Sequence, residues 1–132
     1  GDPETQIILP RLTSDFAQNI TDILAGRAPD ITWLDSSVTL GVVVASNGYP
    51  LAYEKGVLLP EKTGGDIITY YAGAKFDGNS QLLLSNGGRV YMLVTTADSV
   101  KAAQDKIYKK LAEQETTGLF YRQDIGSKSI KD

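Results

Sequence analysis

The chain has 132 residues, 42% of them hydrophobic, and 13 basic against 16 acidic side chains give it a formal charge of −3; this is about one domain with enough apolar content to bury a core. It contains no cysteine and no histidine, which excludes disulfides and thiolate chemistry and removes the commonest metal ligand and general base. No run of like charge offers a footprint for nucleic acid or an anionic membrane, no apolar run approaches the roughly 20 residues of a membrane span, and no leader pattern opens the chain, so the expectation is a cytoplasmic globular protein.

The opening "GDPE" has turn character, and a start at Gly1 rather than at methionine reads as a cut from something longer. Leu12, Phe16, Ile20, Ile23 and Leu24 recur at helical spacing, with Thr13 or Ser14 as a cap and Gly26 and Pro29 as a stop, which predicts a helix over 13–25. "GRAPDITWLDSS" reads as a linker whose Trp33 anchors it to a core. From Val38 the pattern turns to β: "VTLGVVVAS", the turn "NGYP", and "GVLLP" as a short edge strand ended by Pro60. "DIITYYAGAKF" and "QLLLS" follow as strands around an Asp77-Gly78-Asn79 turn, and "RVYMLVTTA" is the next strand. Val100, Ala103, Ile107 and Leu111 then mark a second helix over 99–114, capped by Asp98 or Ser99. "TTGLFYRQDIGSKSIKD" offers one short apolar segment and a polar tail expected to fray. The change of period from 3.6 to 2 and back predicts an α+β fold: an N-terminal helix, then a mainly antiparallel β-domain packed by one helix.

Several short motifs could carry chemistry. Asp2 and Glu4 are two carboxylates two residues apart, a spacing open to Mg²⁺, although a solvated turn is the commoner arrangement. "SNGYPLAYEKG" brings two tyrosines, Glu54 and Lys55 between glycines, as a ligand loop or as a β-turn with an exposed ion pair. Gly73 inside a strand pattern marks a bulge or the close approach of another backbone. The best single candidate is "SNGGRVYMLVTT". Gly87 and Gly88 can adopt positive φ and admit a ligand or another backbone, and Arg89 offers a fork of donors for a phosphate or carboxylate. A structural ion pair of Arg89 is the alternative. Tyr121, Arg122 and Asp124 could form a polar cluster, or simply belong to a terminus docking on its own domain.

Taken in order, "GDPETQIILPRL", "ASNGYPLAYEKG", "YYAGAKFDG", "SNGGRVYMLVTTADSVKAAQDKIYKKL" and "GLFYRQDIG" resemble the C-terminal region of the phosphoribosylamine–glycine ligase (glycinamide ribonucleotide synthetase) family, over nearly the whole chain. The resemblance implies an ATP-grasp ligase of de novo purine synthesis that joins glycine to 5-phosphoribosylamine and releases ADP and phosphate. It implies that residues 1–31 end the ATP-grasp domain, just after the acidic and asparagine ligands of Mg²⁺ (or Mn²⁺). Residues 32–132 are then a small β-barrel-like hybrid domain closing one side of the active site. On this reading Arg89, Gly87, Gly88 and Tyr49 are substrate-binding; the chain holds no catalytic or metal-binding residue of its own and is inactive alone; and its N-terminal helix, left without its domain, favours self-association. The chain departs from the family at Tyr71 and Ser127, where histidines are frequent, and at Ala74 and Ser85-Asn86, so no histidine-dependent role carries over. A non-catalytic interaction or scaffold domain of another, carboxylase-type ATP-grasp protein is the alternative.

Overall fold

The structure, a computed structural model, describes residues 1–130. Helix α1 (Glu4–Ile8) runs into a 3₁₀ turn (Leu9–Arg11), and α2 spans Phe16–Leu24. The strands follow: β1 (Val38–Ser46), β2 (Ile67–Tyr71), β3 (Ala74–Asp77), β4 (Leu82–Ser85) and β5 (Arg89–Ala97). Helix α3 (Val100–Ala112), the short strand β6 (Leu119–Tyr121) and a 3₁₀ turn (Ser127–Ser129) complete the chain. The fold is the expected α+β arrangement with antiparallel pairing. Four strands form a sheet in the order β2-β5-β1-β6, and β3-β4 is a separate hairpin; among the described residues the strands do not close into a barrel. No helix among them is long and apolar enough to cross a membrane.

Local chemistry explains most of these elements. Ser99 Oγ accepts the Ala102 N–H and so caps α3, while Lys109 and Lys110 lie at its C-terminal end, where cations favour the helix dipole. Its inward stripe of Ala103, Ile107 and Leu111 is buried on the face of the sheet that carries Leu40, Val42, Val44, Tyr91 and Leu93. The β3-β4 turn is held by Asp77, whose carboxylate accepts from the Ser80 N–H at 3.1 Å and from the Ser80 hydroxyl; that bonding holds the Asp77 pKa below the usual carboxylate value.

Several expectations are corrected. The opening segment is not a turn alone: from Glu4 it is helical, and α1 packs on β1 with Ile7 beside Gly41. The cap of α2 is Asp15, which accepts from the Gln18 N–H at 2.9 Å, rather than Thr13 or Ser14; the Ser14 hydroxyl is taken by Asn19 and Thr32. "GVLLP" gives only an isolated bridge between Leu58 and Leu84. "DIITYYAGAKF" is two strands, because Gly73 turns the backbone out of one sheet and into the hairpin. Trp33 is not a core anchor but is 43% exposed beside Leu12. The tail is docked as far as Ile125 and Ser127 by Gln104, whose Nε2 donates to the Ile125 carbonyl at 2.6 Å and to Ser127 Oγ at 3.2 Å; its last two residues lie outside the described part.

Two outcomes test this core. Ile107 is fully buried between α3 and the sheet, so Ile107→Ala should lower the unfolding free energy by about 2–5 kcal/mol in a denaturant titration. Tyr91 is also buried, with its hydroxyl on Gln114 Oε1 at 3.2 Å. Burial, reinforced by Tyr71 and Tyr121, raises its phenol well above its ordinary value. Folding thus favours the neutral phenol. That stabilisation is complete below a pH of about 10 and is lost as pH rises through and beyond it. Denaturation followed between neutral and strongly alkaline pH should show this loss, and Tyr91→Phe should flatten it.

Candidate functional site

The site begins with the way β1 and β5 pair. Leu93 lies opposite Val42 and Tyr91 opposite Val44, but the next pair is Ala45 with Arg89, leaving Val90 as an extra residue. Residues directly opposite share a face of the sheet. Strict alternation would have put Arg89 with Tyr91 and Leu93 on the face that buries α3. The bulge instead lets Val90 join that core and turns Arg89 to the other face, beside Ala45 and Met92. A bulge thus carries a guanidinium out of a strand otherwise made of buried side chains.

The glycines before it serve close approach rather than unusual dihedrals: neither Gly87 nor Gly88 has positive φ. A Cβ on Gly87 would come within 2.9 Å of Gly73 Cα, and one on Gly73 within 2.6 Å of the Arg89 carbonyl oxygen, so the two backbones touch where the chain leaves β2. A Cβ on Gly88 would sit 2.2 Å from Tyr49 Cδ2, so Gly88 is the floor on which the Tyr49 ring lies. The bonds that fix the pair run through their carbonyls: Ser46 N donates to Gly88 O at 2.8 Å and Ser46 Oγ to Gly87 O at 3.0 Å. The Asn47–Tyr53 loop is anchored by the same end of β1, with Tyr49 N on Ser46 O at 3.1 Å and the Tyr49 and Tyr53 rings 6.3 Å apart.

Between this corner, α1 and the end of β6 lies a cavity of about 390 Å³. Its floor is apolar, with Gly41, Val43 and Met92, and Tyr49, Arg89 and Arg122 stand around it. Arg89 is paired: its Nη2 lies 2.8 Å from Asp2 Oδ2, with the two side chains 41% and 45% exposed. Arg122 is paired too, with its Nε and Nη2 donating to Asp124 at 2.9 and 2.6 Å. That fork holds the Asp124 pKa down and the Arg122 pKa up. Of the residues expected to bind substrate, Tyr49, Gly88 and Arg89 converge here, while Gly87 is spent on Gly73. The predicted Tyr121–Arg122–Asp124 cluster is both a docked terminus and part of the wall. Two contributors have a weaker sequence signal: Ile7, whose only cue was an apolar run after "GDPETQ", and Asp2 as the partner of Arg89.

The donor set does not fit a metal-bound nucleotide. Among the described residues no three carboxylates converge on one point, and Asp2, one of the two candidates for Mg²⁺, is engaged by Arg89. What the corner offers is fixed cations, aromatic faces and an apolar floor, a combination suited to holding an anionic small molecule.

The family described as phosphoribosylglycinamide synthetase, C domain, matches residues 39–128. The chain belongs to this family. It is 80% identical over 132 residues to a phosphoribosylamine–glycine ligase of Streptococcus pyogenes serotype M6, and 76% identical over 131 residues to that of Streptococcus suis. These alignments cover 100% and 99% of the chain but 31% of each relative, so the chain spans about a third of the length of the curated ligases it matches. The crystal structure of phosphoribosylamine–glycine ligase from Thermotoga maritima superposes on 95% of the chain with a TM-score of 0.77 at 32% identity, again over 31% of that protein. The synthetase C-domain match weighs against the carboxylase-type scaffold, and it covers β5, α3, β6 and all of β1 but Val38.

The Tyr49–Gly88 contact makes a sharp expectation for this C domain. Gly88→Ala should destabilise by about 1–3 kcal/mol through overpacking against the ring. In a Tyr49→Ala background the same substitution should cost much less, and thermal unfolding of the four variants reads the difference.

Proposed function

We propose that this chain forms the C-terminal wall of the active site of a phosphoribosylamine–glycine ligase, the ATP-dependent enzyme that makes glycinamide ribonucleotide in purine synthesis. The observation that carries the reading is the outward turn of Arg89 at the Val90 bulge, beside Tyr49 and Gly88 on the rim of the cavity, in a chain so similar to curated ligases of that name. Residues 32–132 act as the C domain, and residues 1–31 as the end of the ATP-grasp domain; the family match beginning at residue 39 supports that division. The exposed apolar face of α2, with Phe16, Ile20 and Ile23, supports a partner for that segment: the remaining polypeptide in the whole enzyme, self-association in the chain alone. The compartment is the cytoplasm.

In the complete enzyme, ATP and Mg²⁺ or Mn²⁺ would be held by residues outside this chain and would supply the activation of the glycine carboxylate toward the amine of phosphoribosylamine. The donors present here do not fit those groups, and the chain's share is binding. Arg89 contacts the phosphate or a ribose hydroxyl of phosphoribosylamine, Tyr49 and Gly88 shape the approach, and the apolar floor keeps water from one side of the reacting groups. None of this requires a side chain of the chain to exchange a proton.

A charge-assisted hydrogen bond contributes about 1.5–3 kcal/mol. Arg89→Ala in the complete ligase should therefore raise the Michaelis constant for phosphoribosylamine about ten- to a hundredfold, with those for ATP and glycine much less affected. Arg89→Lys should recover only part, because a point charge cannot reproduce the guanidinium fork. Unchanged constants with a lowered melting temperature would assign Arg89 a purely structural pairing.

A further inference from the structure

We infer that Asp2 is a positioning residue for Arg89, fixing the guanidinium at the rim of the cavity so that its remaining donors meet the anionic part of the substrate; this rests on the reading of Arg89 given above. Asp2 engages the same guanidinium twice. Its Oδ2 lies 2.8 Å from Nη2, and its main-chain oxygen accepts from Nη1 at 3.4 Å. The second carboxylate oxygen, Oδ1, accepts from Gln6 Nε2 at 3.3 Å, so the carboxylate is itself held from one turn along α1. The Arg89 Nε–H has no acceptor among the described residues and stays available.

The pair does little for stability. Both side chains are close to half-exposed, and exposed ion pairs contribute little on their own. Its value lies in order: a free arginine samples many rotamers, and each one lost on binding weakens the ligand. The pair also bridges two elements that border the cavity. Asp2 leads into Pro3 and, within α1, Ile7, both of which line it, and Arg89 opens β5. The position of the α1 segment on the sheet is thereby linked to the orientation of the guanidinium.

The test uses the complete ligase and steady-state kinetics of Asp2→Asn, Asp2→Glu, Arg89→Ala and the double variant Asp2→Asn/Arg89→Ala. Asp2→Asn should raise the Michaelis constant for phosphoribosylamine about three- to tenfold while kcat stays within about twofold, and the double variant should match Arg89→Ala alone within about twofold. Asp2→Glu, which keeps the charge, should lie between the wild type and Asp2→Asn. A merely structural Asp2 would add its effect to that of Arg89→Ala, and such additivity would overturn the inference. So would an unchanged or lowered constant in Asp2→Asn, the latter meaning that the carboxylate competes with the substrate. If Arg89→Ala raises the constant in either of those cases, the reading of Arg89 survives without Asp2; if Arg89→Ala has no effect, both fall.

Discussion

The antiparallel pairing of β1 with β5 is the constraint on which the rest depends. Two nine-residue strands run side by side from Val38–Ala97 to Ala45–Arg89, and β2, β6, α1 and α3 are placed against them. One face carries Val42, Val44, Tyr91 and Leu93 under α3. The other carries Gly41, Val43, Ala45 and Met92 and is left to α1 and the cavity. Since a strand presents its side chains with a period of two, one inserted residue near its end exchanges the faces of everything beyond it. Val90 is that residue. The core gains a valine, and the cavity gains an arginine.

Gly41 is the counterpart of the bulge on β1. A Cβ there would meet Met92 Cε at 2.0 Å and Ile7 Cγ2 at 2.8 Å, so the missing side chain is what lets α1 lie down on the sheet. The N-terminal segment is thus held by shape at Ile7 and by charge at Asp2, at two points on one face. Tyr49, Gly88 and Gly73 hold the corner before Arg89 by contacts in which no side chain larger than hydrogen fits at the glycines. The cavity is bounded by these two tightly determined edges and by β6, whose place beside β1 is fixed by pairing of Ser46, Ala45 and Val44 with Leu119, Phe120 and Tyr121.

The long, periodic elements were legible in the sequence. Val38–Ser46 and Arg89–Ala97 are β-branched runs bounded by turn formers, and α3 has its apolar stripe and Ser99 cap. The Asp77-Gly78-Asn79 turn also reads directly, since an Asx side chain closes it locally. What could not be read depends on partners far along the chain. Trp33 looks like an anchor by its size, yet its neighbour in the structure is Leu12, on an exposed ledge. The apolar residues of "GVLLP" suit a strand, but Leu59 is buried as a plug while Leu58 makes a single bridge. At the candidate site, the residue types of Arg89, Tyr49 and Gly88 were informative, but the reason for the glycines was not. Positive φ and backbone contact both select glycine, and only the positions of Gly73 and Tyr49 distinguish them. The Val90 bulge left no mark at all, because valine suits either face.

The ionisable groups whose pKa the surroundings shift all move away from neutral pH. Proton transfer at neutral pH is most effective from a group whose pKa lies near 7. The shifts that the surroundings impose here run the other way: burial raises the phenols of Tyr71, Tyr91 and Tyr108, and hydrogen bonds lower the carboxyls of Asp77, Glu115 and Asp124. Arg122, beside the cavity, is pushed further toward permanent charge by the same fork that lowers Asp124. These side chains become more firmly neutral or more firmly charged, and less able to exchange protons. A wall of fixed charges and apolar surface selects and orients what lies against it. At the sheet corner, the arginine turned outward by a single bulge is such a fixed charge, set beside an apolar floor.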